Sequence, residues 1–280
     1  MYKLKLLFKY LIFKIFYFLK LLINLKALNK LEKKGKLIDF RTNLKLLRGS
    51  RVILPYEIGR SIRGLSHKNL KKDPLGKFFV RLVNHKSTQK ELLKYLLKIY
   101  KSEQVKNAGQ FLGFKNNLIL SNYPSWAIVM PWDKETLQER YIKYKKKFDS
   151  NRLNYFSKNI NKNNLHFYSK LNALSQIYQT KKLIKSFKKF GVRDSMDLPI
   201  VNILVNDNEW RWLMSDQGNH RYYILYLLKH KNFSCVISQK ILRKDFLKWP
   251  NVVNGVFSPE ESLYIFDSCF YGNKCIRGNV

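Results

Sequence analysis

The stretch Leu198–His230, LPIVNILVNDNEWRWLMSDQGNHRYYILYLLKH, decides the fold. Leu198 to Val205 is a β-branched run bounded by a turn at Asn206 to Asn208 and answered by Trp210 to Met214, which predicts a hairpin. Ser215 to Arg221 is a polar turn containing Gly218, and Tyr222 to His230 follows as a helix rich in Tyr, Ile and Leu. Downstream, Ser234 to Ile241 reads as a further strand. Upstream, Leu171 to Phe190 has helical periodicity and ends at Gly191, where a left-handed cap is expected. The order is helix, strand, strand, tight turn, helix, strand, an α+β arrangement in the C-terminal half.

The turn concentrates the chemistry. A helix beginning at Asn219 presents backbone N–H groups and the positive end of its dipole, and Gly218 lets a ligand come close to the backbone. Arg221 adds a two-pronged donor suited to phosphate. His220 and Asp216 stand beside the turn as candidate proton carriers, and Asp194 and Asp197 precede the strand that feeds it. The plainer reading of the same residues is architectural, with Gly making the turn, Asn capping the helix and Arg in solvent.

From roughly Leu171 to Ile241 the chain resembles the ParB/sulfiredoxin-type domain, in which a strand leads into a G-x-H-R turn that opens a helix; here the turn is Gly218, Asn219, His220, Arg221. The resemblance implies a mixed α/β domain and a nucleotide phosphate site at these four residues, served by ATP or CTP with Mg2+. It also implies a choice of activities: CTP-dependent DNA clamps, ATP-dependent reductases, small-molecule kinases and nucleases. Two departures matter. Asn219 stands where sulfiredoxin has its catalytic cysteine, which excludes sulfinic-acid reduction, and Gln217 separates Asp216 from the glycine. A longer resemblance takes in RTNLKLLRGSRVI (41–53), MPWD (130–133) and KDFLKWPNVVNGVFSPEESLYIFD (244–267). It is to ParB/sulfiredoxin-containing proteins found with genes for cell-surface polysaccharide synthesis, and it implies work at the cytoplasmic face of the inner membrane.

Charge divides the 280 residues unevenly. The chain carries 54 Lys+Arg against 19 Asp+Glu, a net +35, yet residues 191–280 are nearly neutral, so the excess lies in the first two thirds. Such a field draws phosphate-bearing partners, either anionic lipid or nucleic acid. Met1 to Lys30 has no acidic residue, and at 100° per residue Lys5, Lys9, Lys20, Lys26 and Lys30 fall within an arc of roughly 120°. This predicts an amphipathic helix with a basic stripe. Lysines interrupt every apolar run long before the ~20 residues a spanning helix needs, and they break any signal-peptide core. An anionic membrane surface satisfies both faces of such a helix; packing on the rest of the protein is the other way to cover the apolar one.

The middle of the chain reads as organisation. Arg41 to Ile58 is a linker and short strand, Gly59 to Gly76 a turn region, and Phe78 to Tyr100 one or two helices. Leu118 to Asp133 is a short strand or extended loop, and Glu135 to Phe148 a helix with a basic face. Three cysteines without CxxC spacing and the isolated His67, His85 and His166 give no disulfide framework and no metal site. Ser258-Pro259-Glu260-Glu261 starts a final helix with a capping box, and Trp126, Trp132 and Trp249 read as packing anchors.

The expected organisation is a basic amphipathic helix at 1–34, a basic and mainly helical region with short strands at 35–165, and the ParB/sulfiredoxin-like domain with a helical extension at 166–280. Two functions are compatible with it. One is an ATP-dependent phosphotransferase, peripheral to the inner membrane, acting on a small-molecule or glycan-precursor acceptor in polysaccharide metabolism. The other is a non-catalytic, nucleotide-dependent DNA-binding or regulatory protein. Nucleic acid is the second-ranked partner, because residues 191–280 are nearly neutral and no helix-turn-helix pattern follows the turn.

Overall fold

The computed structural model describes residues 51–84, 87–103, 107–149, 170–191, 198–215 and 218–273. The basic stripe formed by Lys5, Lys9, Lys20, Lys26 and Lys30 lies outside them, as do Asp194, Asp197 and Asp216. The described chain is a mixture of α and β built on one five-stranded sheet.

The strands are β1 (Arg51–Pro55), β2 (Gly59–Arg60), β3 (Ile200–Asn206), β4 (Glu209–Met214) and β5 (Asn232–Leu242), in the spatial order β1-β5-β3-β4-β2. The predicted hairpin is β3 and β4, antiparallel from Val201 opposite Met214 to Asn206 opposite Glu209. Asp207 takes the turn at a φ of 47°, a conformation that Asp tolerates better than most residues. β5 returns parallel to β3, and β1 and β2 close the two edges, antiparallel to β5 and parallel to β4 respectively. Residues on both sides of position 166 therefore share one sheet.

The helices are α1 (Pro74–Val83), α2 (Gln89–Glu103), α3 (Ala108–Leu112), α4 (Leu118–Ser121), α5 (Leu137–Asp149), α6 (Lys170–Phe190), α7 (Asn219–Leu227), α8 (Pro250–Val253) and α9 (Pro259–Tyr271). α6 ends at Gly191 with a φ of 67°, and α9 begins with the complete capping box of Ser258 and Glu261. The extended segment expected at Leu118 to Asp133 is in part helical: Asn117 caps α4 by accepting the N–H of Leu120, and Ser125–Ala127 forms a 3-10 turn. The Asn117 cap and the helix propensity of Leu118 and Leu120 outweigh the β preference of Ile119, and Leu118 and Ile119 remain exposed.

Successive strand residues face opposite sides, and each face has its own core. On the first face Val201, Ile203, Val205, Trp212, Phe233, Cys235 and Ile237 pack against α1, α2, α6 and α7. On the second, Leu204, Leu213 and Ile241 meet α3, α9 and the Ile128–Trp132 segment. β5 changes phase at a bulge: Val201 pairs with Ile237 but Asn202 pairs with Gln239, so Ser238 is the extra residue. That is why Ile237 lies in the first core while Ile241, four positions on, lies in the second.

The buried guanidinium of Arg60 joins an edge strand to α9. It donates to the carbonyls of Cys269 at 3.1 Å and Phe270 at 2.7 Å, covering the negative end of the helix. Burial and the nearby Arg211 bring it down to about 10, so it is still charged at neutral pH.

Candidate functional site

α7 starts at Asn219, and its N-cap is Gly218, with a φ of 97°. The N-cap makes no side-chain hydrogen bond to the first turn, whose N–H groups carry the positive end of the helix dipole. Gly218 is required twice over. Few side chains tolerate that φ, and a Cβ here would sit 2.4 Å from the Cβ of Pro199. The close approach that a G-x-H-R turn offers a ligand is taken, on this side, by proline.

His220 faces the interior. Its Nε2 lies 3.1 Å from the Gln176 side-chain nitrogen, and its Nδ1 lies 3.2 Å from the Thr180 hydroxyl, both on α6. The Gln176 oxygen is occupied by the hydroxyl of Tyr100, so the Gln176 NH2 donates to Nε2, and Nδ1 carries the proton and donates to Thr180. This chain of donors holds the imidazole neutral, and burial lowers its pKa in the same direction. Phe79 meets the ring edge-on at 5.1 Å and stacks on Tyr223 at 4.8 Å. The Tyr223 hydroxyl donates to fully buried Asp73, which also accepts from the Leu75 N–H at 2.9 Å and stands 3.5 Å from the guanidinium of Arg63. α7 is thus pinned to α6 through His220 and to α1 through Tyr223.

Arg221, one residue on, takes another direction. It lines a cleft of about 190 Å³ together with Leu183, Ser186 and Phe187 of α6, Pro199, and Ser234 of β5. Gly191 and Leu198 line it as well, so both ends of the segment carrying Asp194 and Asp197 reach this cleft. The side-chain oxygen of Asn219 is buried without a hydrogen-bond partner. A helix start without a side-chain cap and an arginine lining the adjoining cleft suit a phosphate group. Of the four residues of the turn, Arg221 lines the cleft, Gly218 shapes the backbone, and His220 fixes the helix.

A second concavity has no counterpart in the sequence-based expectations. On the other face of the sheet, beside the Ser238 bulge, a cavity of about 270 Å³ is lined by Trp132, Asp133, Arg140, Asn202, Ser215 and Gln239, among others. Its wall is the Met130–Asp133 loop, held by Asn251. The Asn251 amide donates to the carbonyls of Met130 at 3.0 Å and Asp133 at 2.9 Å, and its own N–H donates to Pro131. Trp132 and Trp249 meet edge to face at 5.3 Å. The MPWD and KWPN stretches are therefore two halves of one construction. The one sequence signal that could have pointed to the cavity is Asn202, a polar residue between the apolar Val201 and Ile203 of its strand.

Among the described residues, no group of three or more His, Cys, Asp or Glu is placed to hold a metal ion, and no helix is long and apolar enough to cross a membrane. Comparison of the chain with protein-family profiles, with characterised proteins and with solved structures gave no match.

Proposed function

We propose that the chain is a nucleotide-binding protein of ParB/sulfiredoxin-like type, with its phosphate site at the start of α7. The observation that carries this reading is the placement of Arg221, in the first turn of a helix without a side-chain cap, in the lining of a cleft. The first-turn N–H groups and Arg221 take phosphate oxygens. The apolar walls from Leu183 and Phe187 suit a flat base. ATP or CTP would arrive with Mg2+, which neutralises phosphate charge during transfer.

Phosphate transfer to a small-molecule or glycan-precursor acceptor further needs a carboxylate base, and Asp216, Asp194 and Asp197 are the residues to supply it. The basic first thirty residues would keep the enzyme at the anionic cytoplasmic face of the membrane, where polysaccharide precursors are handled. One observation favours the non-catalytic alternative, a nucleotide-dependent regulator: both nitrogens of His220 are engaged by side chains of α6, which ties the histidine of the turn to the fold.

The test is thermal-shift titration of the full chain with ATP, CTP and GTP plus Mg2+, repeated on Arg221→Ala. A ligand at a hundred times its dissociation constant stabilises by about 2.7 kcal/mol, readily seen as a rise in Tm. The expected result is a rise with one nucleotide that the variant loses. Absence of a rise with all three in folded protein overturns the reading. Release of labelled phosphate onto an acceptor then separates transferase from regulator, and liposome co-sedimentation with and without residues 1–30 tests the membrane part.

A further inference from the structure

The cavity between the Met130–Asp133 loop and the bulged region of the sheet contains polar groups that the fold does not use. Asn202 is 9% exposed, and its carboxamide makes no hydrogen bond among the described residues. Trp132 is 3% exposed, and its indole N–H is buried without an acceptor. Ser238 and Gln239, on the bulge itself, also make no side-chain hydrogen bond there, and both line the cavity. Of these only the indole N–H of Trp132 is fully buried, where a missing partner costs about 1–3 kcal/mol, while Asn202, Ser238 and Gln239 present their donors and acceptors to the cavity. A β-bulge is also a common way for a strand to re-aim side chains beside a binding site.

The charges define the class of ligand. Asp133 accepts from the Met130 N–H at 2.9 Å and from Arg140 at 3.2 Å, Arg140 reaches Glu135 at 2.7 Å, and Lys143 closes the set on Glu135 at 3.0 Å. Two acids and two bases neutralise one another, so the cavity offers a bound anion no uncompensated cation. What remains are carboxamides that both donate and accept, hydroxyls that do the same, one N–H donor, and apolar walls from Ile62, Met130 and Leu213. About 270 Å³ is far more space than a single water requires and approaches the size of small-ligand pockets.

We propose that this cavity is a binding site for a neutral, polyhydroxylated small molecule of monosaccharide size, separate from the turn at Gly218. Its hydroxyl groups alternate as donors and acceptors to Asn202, Gln239 and Ser238, and its C–H surface lies along the apolar wall. The inference does not depend on nucleotide binding at α7, because the two concavities share no lining residue.

Calorimetric titration of the full chain tests it. The probes are glucose, N-acetylglucosamine, galactose and myo-inositol, each raised to about 50 mM, well beyond millimolar dissociation constants. Glucose 6-phosphate and gluconate serve as anionic counterparts. The expected result is saturable binding of at least one neutral probe, weakened tenfold or more by Asn202→Leu and by Gln239→Ala, and unchanged in Arg221→Ala. Because Gln239 is only half-buried, its variant tests the site even if Asn202→Leu fails to fold. Binding of none of the neutral probes overturns the proposal. So does tighter binding of the anions, or binding that neither cavity variant weakens. Loss of nucleotide binding in Arg221→Ala with sugar binding intact would separate failure at one site from failure at the other.

Discussion

The start of α7 and the cavity beside the Ser238 bulge lie on opposite faces of the same sheet, and they spend their polar residues differently. On the first face the residues that look functional in the sequence are engaged in holding the helix: Gly218 against Pro199, His220 between Gln176 and Thr180. On the second face Asn202, which belongs to no motif, lines a cavity and makes no side-chain hydrogen bond among the described residues. A short motif and a functional group are thus different things. A motif can be required by packing, whereas a buried polar atom left unsatisfied costs stability and calls for another explanation.

The largest effect expected is on the first face. Asp73 is 0% exposed and gathers Arg63, Tyr223 and the Leu75 N–H, so Asp73→Ala leaves a guanidinium buried without its anion and removes a helix cap. Urea unfolding is expected to show a loss of about 3–5 kcal/mol. A loss below about 1 kcal/mol would mean that α7 is not held from this side.

Gly218→Ala comes next. The side chain must adopt a φ of 97° and displace Pro199, whose Cβ would be 2.4 Å away. A loss of about 2–4 kcal/mol is expected with or without nucleotide, since strain and overlap arise in the empty protein. A variant that keeps its stability and loses only nucleotide binding would return Gly218 to a purely ligand-facing role.

Asn251→Ala carries the comparison to the second face. It removes the donor to Met130 and Asp133 and loosens the loop that walls the cavity. About 1–3 kcal/mol is expected, together with a loss of any sugar binding at the cavity.

How much of this was legible in the sequence follows the range of the forces involved. The hairpin, the start of α7 at Asn219, the Gly191 cap of α6 and the capping box of α9 are all determined by neighbours a few residues away, and pattern reading finds them. Leu118–Ser121 was missed because the Asn117 cap and the helix propensity of two leucines outweigh the β preference of Ile119. The pairing of β1 with β5, 177 to 185 residues later, and of β2 with β4, 153 residues later, has no local signature beyond a β-branched run. The fate of His220 was illegible for the same reason, since Gln176 and Thr180 lie more than 35 residues upstream. Asn202 was visible as an exception to its strand, but its meaning depends on a loop that arrives from residues 130–133.

His220 gives a smaller, pH-dependent effect. Its pKa is lowered by burial, so below the ordinary value of about 6.5 the unfolded chain takes up a proton that the folded one resists. Stability from this residue is complete above that value and is lost as pH falls from it toward the folded-state pKa. His67, also lowered by burial and by Lys68 and Arg60, acts in the same sense. Unfolding measured from pH 7.5 down to 5 is expected to show stability falling with pH, and His220→Gln should flatten part of that slope while His67→Gln flattens another part. An unchanged slope in His220→Gln would mean that the histidine is not held neutral by α6.

The smallest change expected in the empty protein is that of Asn202→Leu. The leucine side chain occupies cavity space, and the carboxamide it replaces makes no hydrogen bond among the described residues. Removing a buried polar group that makes no hydrogen bond is nearly neutral, so unfolding free energy should stay within about 1 kcal/mol of wild type. Asn251→Ala is the internal control, being the same residue type, also buried, but with its donors used. If the two substitutions cost the same, Asn202 has a structural partner after all and the contrast between the two faces collapses. If Asn202→Leu costs little and yet weakens sugar binding tenfold, the carboxamide is there for the ligand, and the second face of the sheet is a site that no motif in the chain announces.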